Sequence, residues 1–196
     1  LHDALPISPL PIWRDEEGHE ICIGSLEELY AEIEKSVAAG HMVSNPLKEH
    51  GFVPGDYAQA NYERIDLHRP YVDDIVLVSE TGKPMKREID LIDVWFDSGA
   101  MPYAQVHYPF ENADLIDKRI AFPADFINEG VDQTRGWFFT LHAIATMVFD
   151  SVAFKNVIST GLVLDAKGNK MSKHVGNVVN PFEMMEKYGA DRSEER

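Results

Sequence analysis

Strand-like and helix-like segments alternate in the second half of the chain, and this order constrains the fold more than any other feature. Residues 124–128 predict a short buried strand, and residues 133–149, which are apolar on most sides, predict a helix buried against a sheet. A second strand, rich in Val, Ile and Leu, is predicted at residues 156–165. A polar loop at residues 166–176 then leads to a helix that begins at Asn180. Strand, helix, strand, loop and helix in this order indicate half of a parallel α/β unit.

The first half of the chain contains one well-marked helix. Ser25 and Glu28 have the Ser-x-x-Glu spacing of a capping box, in which both side chains bind free amides at a helix start. The residue Gly40 is a C-terminal stop signal. Between these signals apolar residues recur at helical spacing, namely Leu26, Leu29, Ile33 and Val37.

The rest of the first half is irregular. Residues 43–69 are interrupted by Pro and Gly and have no sustained period. Strands are predicted at residues 75–78 and 88–94, where apolar and acidic residues partly alternate, with a turn at residues 79–84 between them.

The composition excludes several classes of protein. The 196 residues are 44% hydrophobic and 10% aromatic, which favours a folded core over a disordered chain. A single cysteine, Cys22, excludes an internal disulfide framework and a Cys-rich zinc site. The net charge of −15 argues against a basic DNA-coating surface, but it leaves open an enzyme that acts on nucleic acid.

No segment has the pattern of a targeting or membrane-spanning sequence. The longest apolar run, residues 137–149, is too short to cross a bilayer, and the proline-rich start lacks the basic leader of a signal peptide. We therefore expect a soluble, cytoplasmic protein. Because the chain starts with Leu1 and ends in a charged tail, we also expect it to be a piece of a longer one.

Polar residues follow the first predicted strand. In open parallel sheets, ligands bind beyond the carboxyl ends of the strands, where loops lead into helices. Here Glu129 and Asp132 offer carboxylate oxygens, Gln133 offers an amide, and Gly130 permits close approach of the backbone to a ligand. Asp132 taken alone fits equally well as a cap of the following helix.

A second polar group, Lys-Met-Ser-Lys at residues 170–173, follows the second predicted strand. Lys170 and Lys173 lie on a polar loop, where their charges can meet the developing negative charge of a triphosphate. Such a loop can also close over a ligand and reopen. A lysine-containing loop is more often a solvated surface, but this four-residue string after a strand has little chance of arising at random.

These motifs resemble the class I aminoacyl-tRNA synthetases, whose signature loop reads Lys-Met-Ser-Lys-Ser. His174 stands where the final Ser of that loop is usual. The resemblance runs from about residue 10 to residue 191 and is strongest to the isoleucine-specific members. It is carried by residues 66–73, residues 93–99 (Asp-Val-Trp-Phe-Asp-Ser-Gly), residues 129–137 and residues 161–165.

The resemblance implies a fold and an organisation of the chain. Residues 93–191 would form the second half of a Rossmann-like parallel-sheet nucleotide-binding domain, the catalytic domain of the class. Residues 1–92 would form an irregular α+β connective region that follows an editing domain, and residues 192–196 a tail that does not match. The family's His-Ile-Gly-His motif has no counterpart here, so we expect the isolated chain to be inactive.

The resemblance also implies a reaction, the ATP-dependent activation of isoleucine to its adenylate and the transfer of the acyl group to tRNA(Ile). ATP would be a substrate with Mg²⁺ as its companion, isoleucine and tRNA(Ile) the other partners, and the complete enzyme a monomer. The valine- and leucine-specific enzymes remain alternatives within the class. A non-catalytic, synthetase-like module that binds RNA or protein is the alternative outside it.

Individual roles follow from the same resemblance. Lys170 and Lys173 would stabilise the pyrophosphate leaving group, with Lys173 as the main ATP contact and Met171 and Ser172 as further ATP-binding residues. Trp95 and Trp137 would wall the isoleucine side-chain pocket, although each Trp alone is more simply a core residue. The adenylate would be lined by Glu129, Gly130, Asp132 and Gln133.

No metal site is expected. Relatives often carry a Cys-x-x-Cys pair in the segment near residues 13–22, but this chain reads Arg-Asp-Glu-Glu-Gly-His at residues 14–19, with only Cys22 downstream. We interpret His107 and His142 as structural residues.

Overall fold

The computed structural model describes residues 8–172 and 174–190. Within the chain, contacts cluster into two units, Leu1–Asp97 and Ser98–Arg196. The first unit is built on an antiparallel sheet and the second on a small parallel sheet, so the fold is mixed α/β.

The sheet of the first unit has four short strands in the order β2-β1-β4-β3. They are β1 (Ile12–Arg14), β2 (Glu20–Cys22), β3 (Val76–Val78) and β4 (Pro84–Arg87). All three pairings are antiparallel, and β1 joins the two hairpins by pairing Trp13 with Ile21 on one side and with Arg87 on the other. Chain segments far apart in sequence therefore meet at β1.

Helix α1 (Leu26–Ala38) begins and ends as the sequence indicates. The Ser25 hydroxyl accepts a hydrogen bond from the Glu28 amide at 3.0 Å, and the Glu28 carboxylate accepts one from the Gly24 amide at 2.7 Å. Beyond the C-terminus, Gly40 has a φ of +80°, which a residue with a Cβ rarely adopts. The predicted capping box and stop are confirmed, with Glu28 bound one residue before the cap.

The predicted strand at residues 88–94 is wrong. The hairpin turn closes early, because the Ser79 amide donates to the Lys83 carbonyl at 2.9 Å and pairing resumes at once at Pro84. Strand β4 therefore starts at Pro84, the last residue assigned to the turn, and it ends at Arg87, before the predicted strand begins. Ile89, two residues beyond the strand end, is 71% exposed.

The irregular stretch between α1 and β3 forms single helical turns. These are α2 (Pro46–Glu49), α3 (Gln59–Tyr62) and a 3₁₀ turn at Tyr71–Asp74. Asn45 caps α2 by accepting from the Leu47 amide at 3.1 Å. The turns cover one edge of a hydrophobic core that includes Trp13, Ile33, Leu47, Phe52 and Leu77.

The second unit has a two-stranded parallel sheet of β5 (Ile127–Gly130) and β6 (Val157–Thr160). Their register pairs Ile127 with Val157 and Gly130 with Thr160. Both strands exist as predicted, but β5 starts three residues later than expected and β6 spans four residues rather than ten. All four residues of β6 are exposed in this chain.

Helix α6 (Trp137–Phe149) connects the two strands. It starts four residues later than predicted, because Val131–Arg135 forms a 3₁₀ turn and the backbone of Gly136, at φ −135° and ψ −114°, interrupts the helical path. The prediction of a helix buried on most sides holds for one face only. That face contributes Phe138, Leu141, Ile144 and Ala145 to the core, whereas Phe139, Met147 and Val148 are exposed.

Three further helices belong to the chain from Val94 onward: α4 (Val94–Ala104), α5 (Ala113–Asp117) and α7 (Pro181–Tyr188). Asn180 caps α7 by accepting from the Phe182 amide at 3.0 Å, as the sequence indicates. Asn180 and Glu183 also have the spacing of a capping box, but Glu183 accepts from the Asn180 side chain at 3.4 Å rather than from its backbone amide, so that box is only half formed. None of the described helices combines the length and apolarity that crossing a membrane requires.

A core substitution tests the packing of the first unit. Leu77 is fully buried in β3, so Leu77→Ala should leave a cavity and lower the free energy of unfolding by about 2–5 kcal/mol. Val43→Ala is the matched control, because Val43 is 98% exposed and its truncation should change stability by no more than about 0.5 kcal/mol. Urea unfolding of both variants measures the difference, and equal losses would contradict the assigned core.

A second test concerns the turn between β1 and β2. Burial raises the pKa of Asp15, but hydrogen bonds from the His19 amide and ring, from Ser79 and from the Glu17 amide outweigh it and lower the pKa to about 2. The stability that this carboxylate contributes should be complete above about pH 4 and lost as the pH falls toward 2. Asp15→Asn should flatten this acid limb in unfolding titrations, and Glu16→Gln, at an exposed neighbour, should not.

Candidate active site

The polar residues predicted to bind the adenylate lie at and beyond the carboxyl end of β5. Glu129 and Gly130 are the last two residues of the strand and pair with Ser159 and Thr160 of β6. The Glu129 side chain is exposed. A Cβ on Gly130 would lie 2.5 Å from Asp132 Oδ1, so the Asp132 carboxylate lies close to the strand end in a position that a side chain at residue 130 would displace.

Asp132 and Gln133 belong to the 3₁₀ turn, and the cap role belongs to Gln133. Gln133 Oε1 accepts from the Trp137 amide at 3.0 Å and satisfies a free N–H at the start of α6, while Gln133 Nε2 lies 3.4 Å from Asp132 Oδ2. Asp132 therefore does not cap α6, which was the structural alternative to a binding role. Its carboxylate is exposed beside Gly130.

Trp137 is fixed by a contact with α4. Its indole Nε1 donates to the Ser98 carbonyl at 3.1 Å, and the ring packs on the core of the second unit. The contact depends on close packing of α4 against α6. Gly99 allows this packing, because a Cβ at that position would lie 2.9 Å from the Thr140 carbonyl carbon. The half-buried Trp137 is thus both a core residue and held in one orientation.

Trp95 lies in the first turn of α4, within the first unit, and is half-buried. The Asp93 carboxylate accepts from the Trp95 amide at 2.7 Å and so fixes the start of the helix. Its role as a wall of an amino-acid pocket stays a prediction.

The lysine loop follows a tight polar turn. The Asp165 amide donates to the Asn169 carbonyl at 2.9 Å, and Leu164 and Lys170 form an antiparallel bridge, so the chain doubles back before the Lys-Met-Ser segment. Lys170 is exposed, and Met171 and Ser172 are half-buried. Lys173, the predicted main ATP contact, lies outside the described residues.

Two residues of this loop were not assigned a role from the sequence. Asp165 Oδ1 accepts from the amides of Lys167 and Asn169 at 2.9 and 2.8 Å, and Asp165 Oδ2 accepts from the Asn177 side-chain amide at 2.8 Å. Asn177 Oδ1 in turn accepts from the Ser172 amide at 2.8 Å. The Asp-x-x-Gly-Asn turn sequence was a signal for the first of these residues. Nothing in the local sequence indicated that Asn177 reaches back.

The Asp165 carboxylate is held in its charged form. Hydrogen bonds from the Asn177 side chain and then from the Asn169 amide outweigh partial burial and lower the pKa of Asp165 to about 2. The carboxylate is therefore an acceptor at any physiological pH and cannot serve as a proton donor.

One group of side chains in the described residues has the spacing of a metal site. The ligand atoms of Asp15, Glu17 and His19 lie within 4.8 Å of one another in the β1–β2 turn. The Asp15 carboxylate already binds the amides of Glu17 and His19 and the His19 ring. These hydrogen bonds within the turn explain why the three side chains lie close together. The expectation of no metal stays a prediction.

The two histidines interpreted as structural differ in their surroundings. His107 Nδ1 lies 2.7 Å from the Glu111 carboxylate. His142 packs its ring 4.9 Å from that of Phe154, and within the described part of the chain its buried Nδ1 has no hydrogen-bond partner.

The geometry suits recognition of a charged, polar ligand. Parallel pairing brings the ends of β5 and β6 to one edge of the sheet, with exposed carboxylates after β5 and a lysine-bearing loop after β6. Such an edge is where parallel α/β sheets bind nucleotides.

Comparison with known proteins agrees with this geometry. The model of the family "tRNA synthetases class I (I, L, M and V)" matches residues 8–193. The chain is 74% identical over 185 residues to an isoleucine--tRNA ligase of Bacteroides thetaiotaomicron, 67% to that of Porphyromonas gingivalis and 50% over 186 residues to that of Clostridium acetobutylicum. These matches cover 94% of the chain but only 15–16% of each relative, so the chain spans about one sixth of their length.

A solved structure supports the fold. The ternary complex of Agrobacterium radiobacter LeuRS, tRNA and LeuAMS matches 94% of this chain and 22% of its own chain, with a TM-score of 0.55 and 20% sequence identity. The family match over nearly the whole chain and the shared fold lead to one conclusion. The chain belongs to the class I tRNA synthetases of the I, L, M and V group.

Proposed function

We propose that this chain is the second half of the Rossmann-like catalytic domain of an isoleucine--tRNA ligase, with residues 1–92 as the connective region before it. The observation that carries the proposal is the parallel register of β5 and β6, which puts Glu129 and Gly130 beside the strand that leads to the lysine loop. Identity of 74% to an isoleucine--tRNA ligase supports the substrate. Parallel sheets are ordinarily covered on both faces, and the exposure of β6 accords with a chain that is part of a larger domain.

The strand end would bind the adenylate. The exposed side chains of Glu129 and Asp132 offer acceptors for the amino group and the ribose hydroxyls. Gly130 has no side chain to fill the space that Asp132 Oδ1 occupies beside its backbone. Gln133 has a supporting role, because its side chain already binds the Trp137 amide. Trp137, held by the Ser98 carbonyl, and Trp95 would wall the isoleucine side chain with flat, rigid surfaces.

The lysine loop would stabilise charge. The isoleucine carboxylate attacks the α-phosphorus of ATP, the bond to the bridging oxygen breaks, and pyrophosphate leaves with the negative charge. Lys170 and Lys173 would meet that charge, and no general base is needed because the nucleophile is already ionised. The acyl group then passes to the 3′ end of tRNA(Ile), and AMP leaves.

Mg²⁺ would arrive with ATP. Magnesium in nucleotide sites is bound through substrate phosphates and one or two carboxylates, and it keeps several waters. Around the ends of β5 and β6, among the residues that the structure describes, no set of three acidic or histidine ligands converges. Such surroundings fit an ion that is held mainly by the phosphates.

The cytoplasm, where tRNA and ATP are available, would be the place of action.

Two other functions are less well supported. A non-catalytic, synthetase-like binding module would have no reason to keep Glu129, Lys170 and Lys173, and all three are present. Valine or leucine specificity is disfavoured by residues 93–99 and 129–137 and by the identities with isoleucine--tRNA ligases.

An amino-acid panel tests the proposed substrate. The complete protein that carries this segment should catalyse ATP–pyrophosphate exchange with isoleucine in preference to valine, leucine and methionine, as measured by kcat/KM for each. The isolated 196-residue chain should show no exchange, because it spans about one sixth of its relatives. Preferential activation of valine or leucine would contradict the proposal, and so would full exchange activity of the isolated chain.

A pair of lysine substitutions tests the role of the loop. Lys173→Ala in the complete protein should lower kcat for exchange by about 10²-fold or more, because a preorganised charge at the leaving group is lost. Lys187→Ala is the matched control, since Lys187 lies in α7 with its ammonium 5.0 Å from the Tyr188 ring centroid. Equal effects of the two substitutions would contradict the assigned role.

A further inference from the structure

The base of the lysine loop is closed by the side chain of one residue, Asn177. Its Oδ1 accepts from the Ser172 amide at 2.8 Å, and its Nδ2 lies 3.3 Å from the Lys170 carbonyl oxygen. The same side chain therefore binds the backbone on both sides of Met171. Both the acceptor and the donor of the Asn amide are in use, which no other residue type of this size can reproduce.

Asn177 is itself held in place by Asp165. Asn177 Nδ2 donates to Asp165 Oδ2 at 2.8 Å, and the other carboxylate oxygen is fixed by the amides of Lys167 and Asn169. A bond from an amide to an ionised carboxylate is stronger than one between neutral groups. We call Asp165 and Asn177 together the clasp.

The clasp matters because the loop is polar and mostly exposed. Residues 166–170 and 174–176 are exposed, and the neighbouring Met171 and Ser172 are only half-buried. Apolar burial, which orders α6, is not available to a polar loop of this kind. Its order therefore comes from polar bonds. Within the loop the amides of Val175 and Gly176 donate to the Ser172 carbonyl at 3.1 and 3.0 Å, and at its base the clasp binds the Ser172 amide and the Lys170 carbonyl.

We propose that Asp165 and Asn177 are positioning residues for isoleucine activation, fixing the backbone at Lys170 and Ser172 so that the Lys170 side chain meets the triphosphate in one arrangement. This inference rests on the proposed function and adds to it two residues that act through the backbone of the lysine loop. A group that stabilises a leaving group must be placed to within a fraction of an ångström, and misplacement by about 1 Å can cost about 10²-fold in rate.

The activity test compares three variants of the complete protein. Asn177→Ala removes the clasp and should lower kcat for isoleucine-dependent ATP–pyrophosphate exchange by about 10- to 100-fold, with KM for isoleucine unchanged. Asn177→Asp keeps the acceptor for the Ser172 amide but sets a second carboxylate against Asp165, so its loss should be at least as large. Asn169→Ala is the control. It removes only the 3.3 Å bond from the Asn169 side chain to Asp165 and keeps the shorter bond from the Asn169 backbone amide.

A second measurement reports on the loop without activity. Hydrogen exchange of the Ser172 amide should be at least about 10-fold faster in Asn177→Ala than in the parent protein, with Tm unchanged, because a single bond to that amide is lost while the core is untouched. Exchange in Asn169→Ala should match the parent.

The outcomes separate the two hypotheses. If Asn177→Ala and Asn169→Ala have the same kcat and the same Ser172 exchange as the parent, the clasp is overturned while isoleucine activation stands. Faster exchange with unchanged kcat also overturns the positioning role, because the loop would then be ordered without consequence for the reaction. If the parent does not activate isoleucine, the proposed function fails, and the positioning role fails with it whatever the exchange rates show.

Discussion

The parallel pairing of β5 with β6 is the interaction on which the candidate site depends. Four residue pairs, from Ile127 with Val157 to Gly130 with Thr160, set the register. Because the strands run the same way, the residues after each strand emerge at the same edge, and the 3₁₀ turn with Asp132 and the strand that leads to the lysine loop become neighbours. An antiparallel pairing of the same two strands would send these residues to opposite ends of the sheet.

The two sides of the site are ordered by different forces. The side that follows β5 is anchored by packing: α6 buries Phe138, Leu141 and Ile144, Gly99 lets α4 approach, and the Ser98 carbonyl holds Trp137. The side that follows β6 has exposed residues and is ordered by polar bonds that converge on Asp165 and Asn177. The packed strand end and the exposed polar loop therefore lie at one edge of the sheet but are stabilised in different ways.

Hydrogen bonding also explains why the carboxylates of this chain have different roles. Asp15 and Asp165 each accept several bonds, which lower their pKa values to about 2 and make them structural acceptors. Glu129 and Asp132 are exposed near the strand end, where a ligand can reach them. The distinction cannot be read from residue type, because it depends on which amides face each carboxylate.

The sequence by itself determined the local features whose causes lie within a few residues. Spacing and residue type predict the caps at Ser25 and Asn180 and the stop at Gly40. They also predict the two strands of the second unit, the helix between them and the Lys-Met-Ser-Lys loop.

The tertiary structure decided what depends on distant partners. Strand β4 forms in place of the predicted strand at residues 88–94, because the edge of β1 pairs with Lys86 and Arg87. Gln133 rather than Asp132 accepts the hydrogen bond at the start of α6, because Gly136 makes the helix begin later than predicted. Asn177 binds the Ser172 amide because the chain turns back between these two residues. Periodicity records only which residues prefer burial, whereas these contacts depend on the path of the backbone through space.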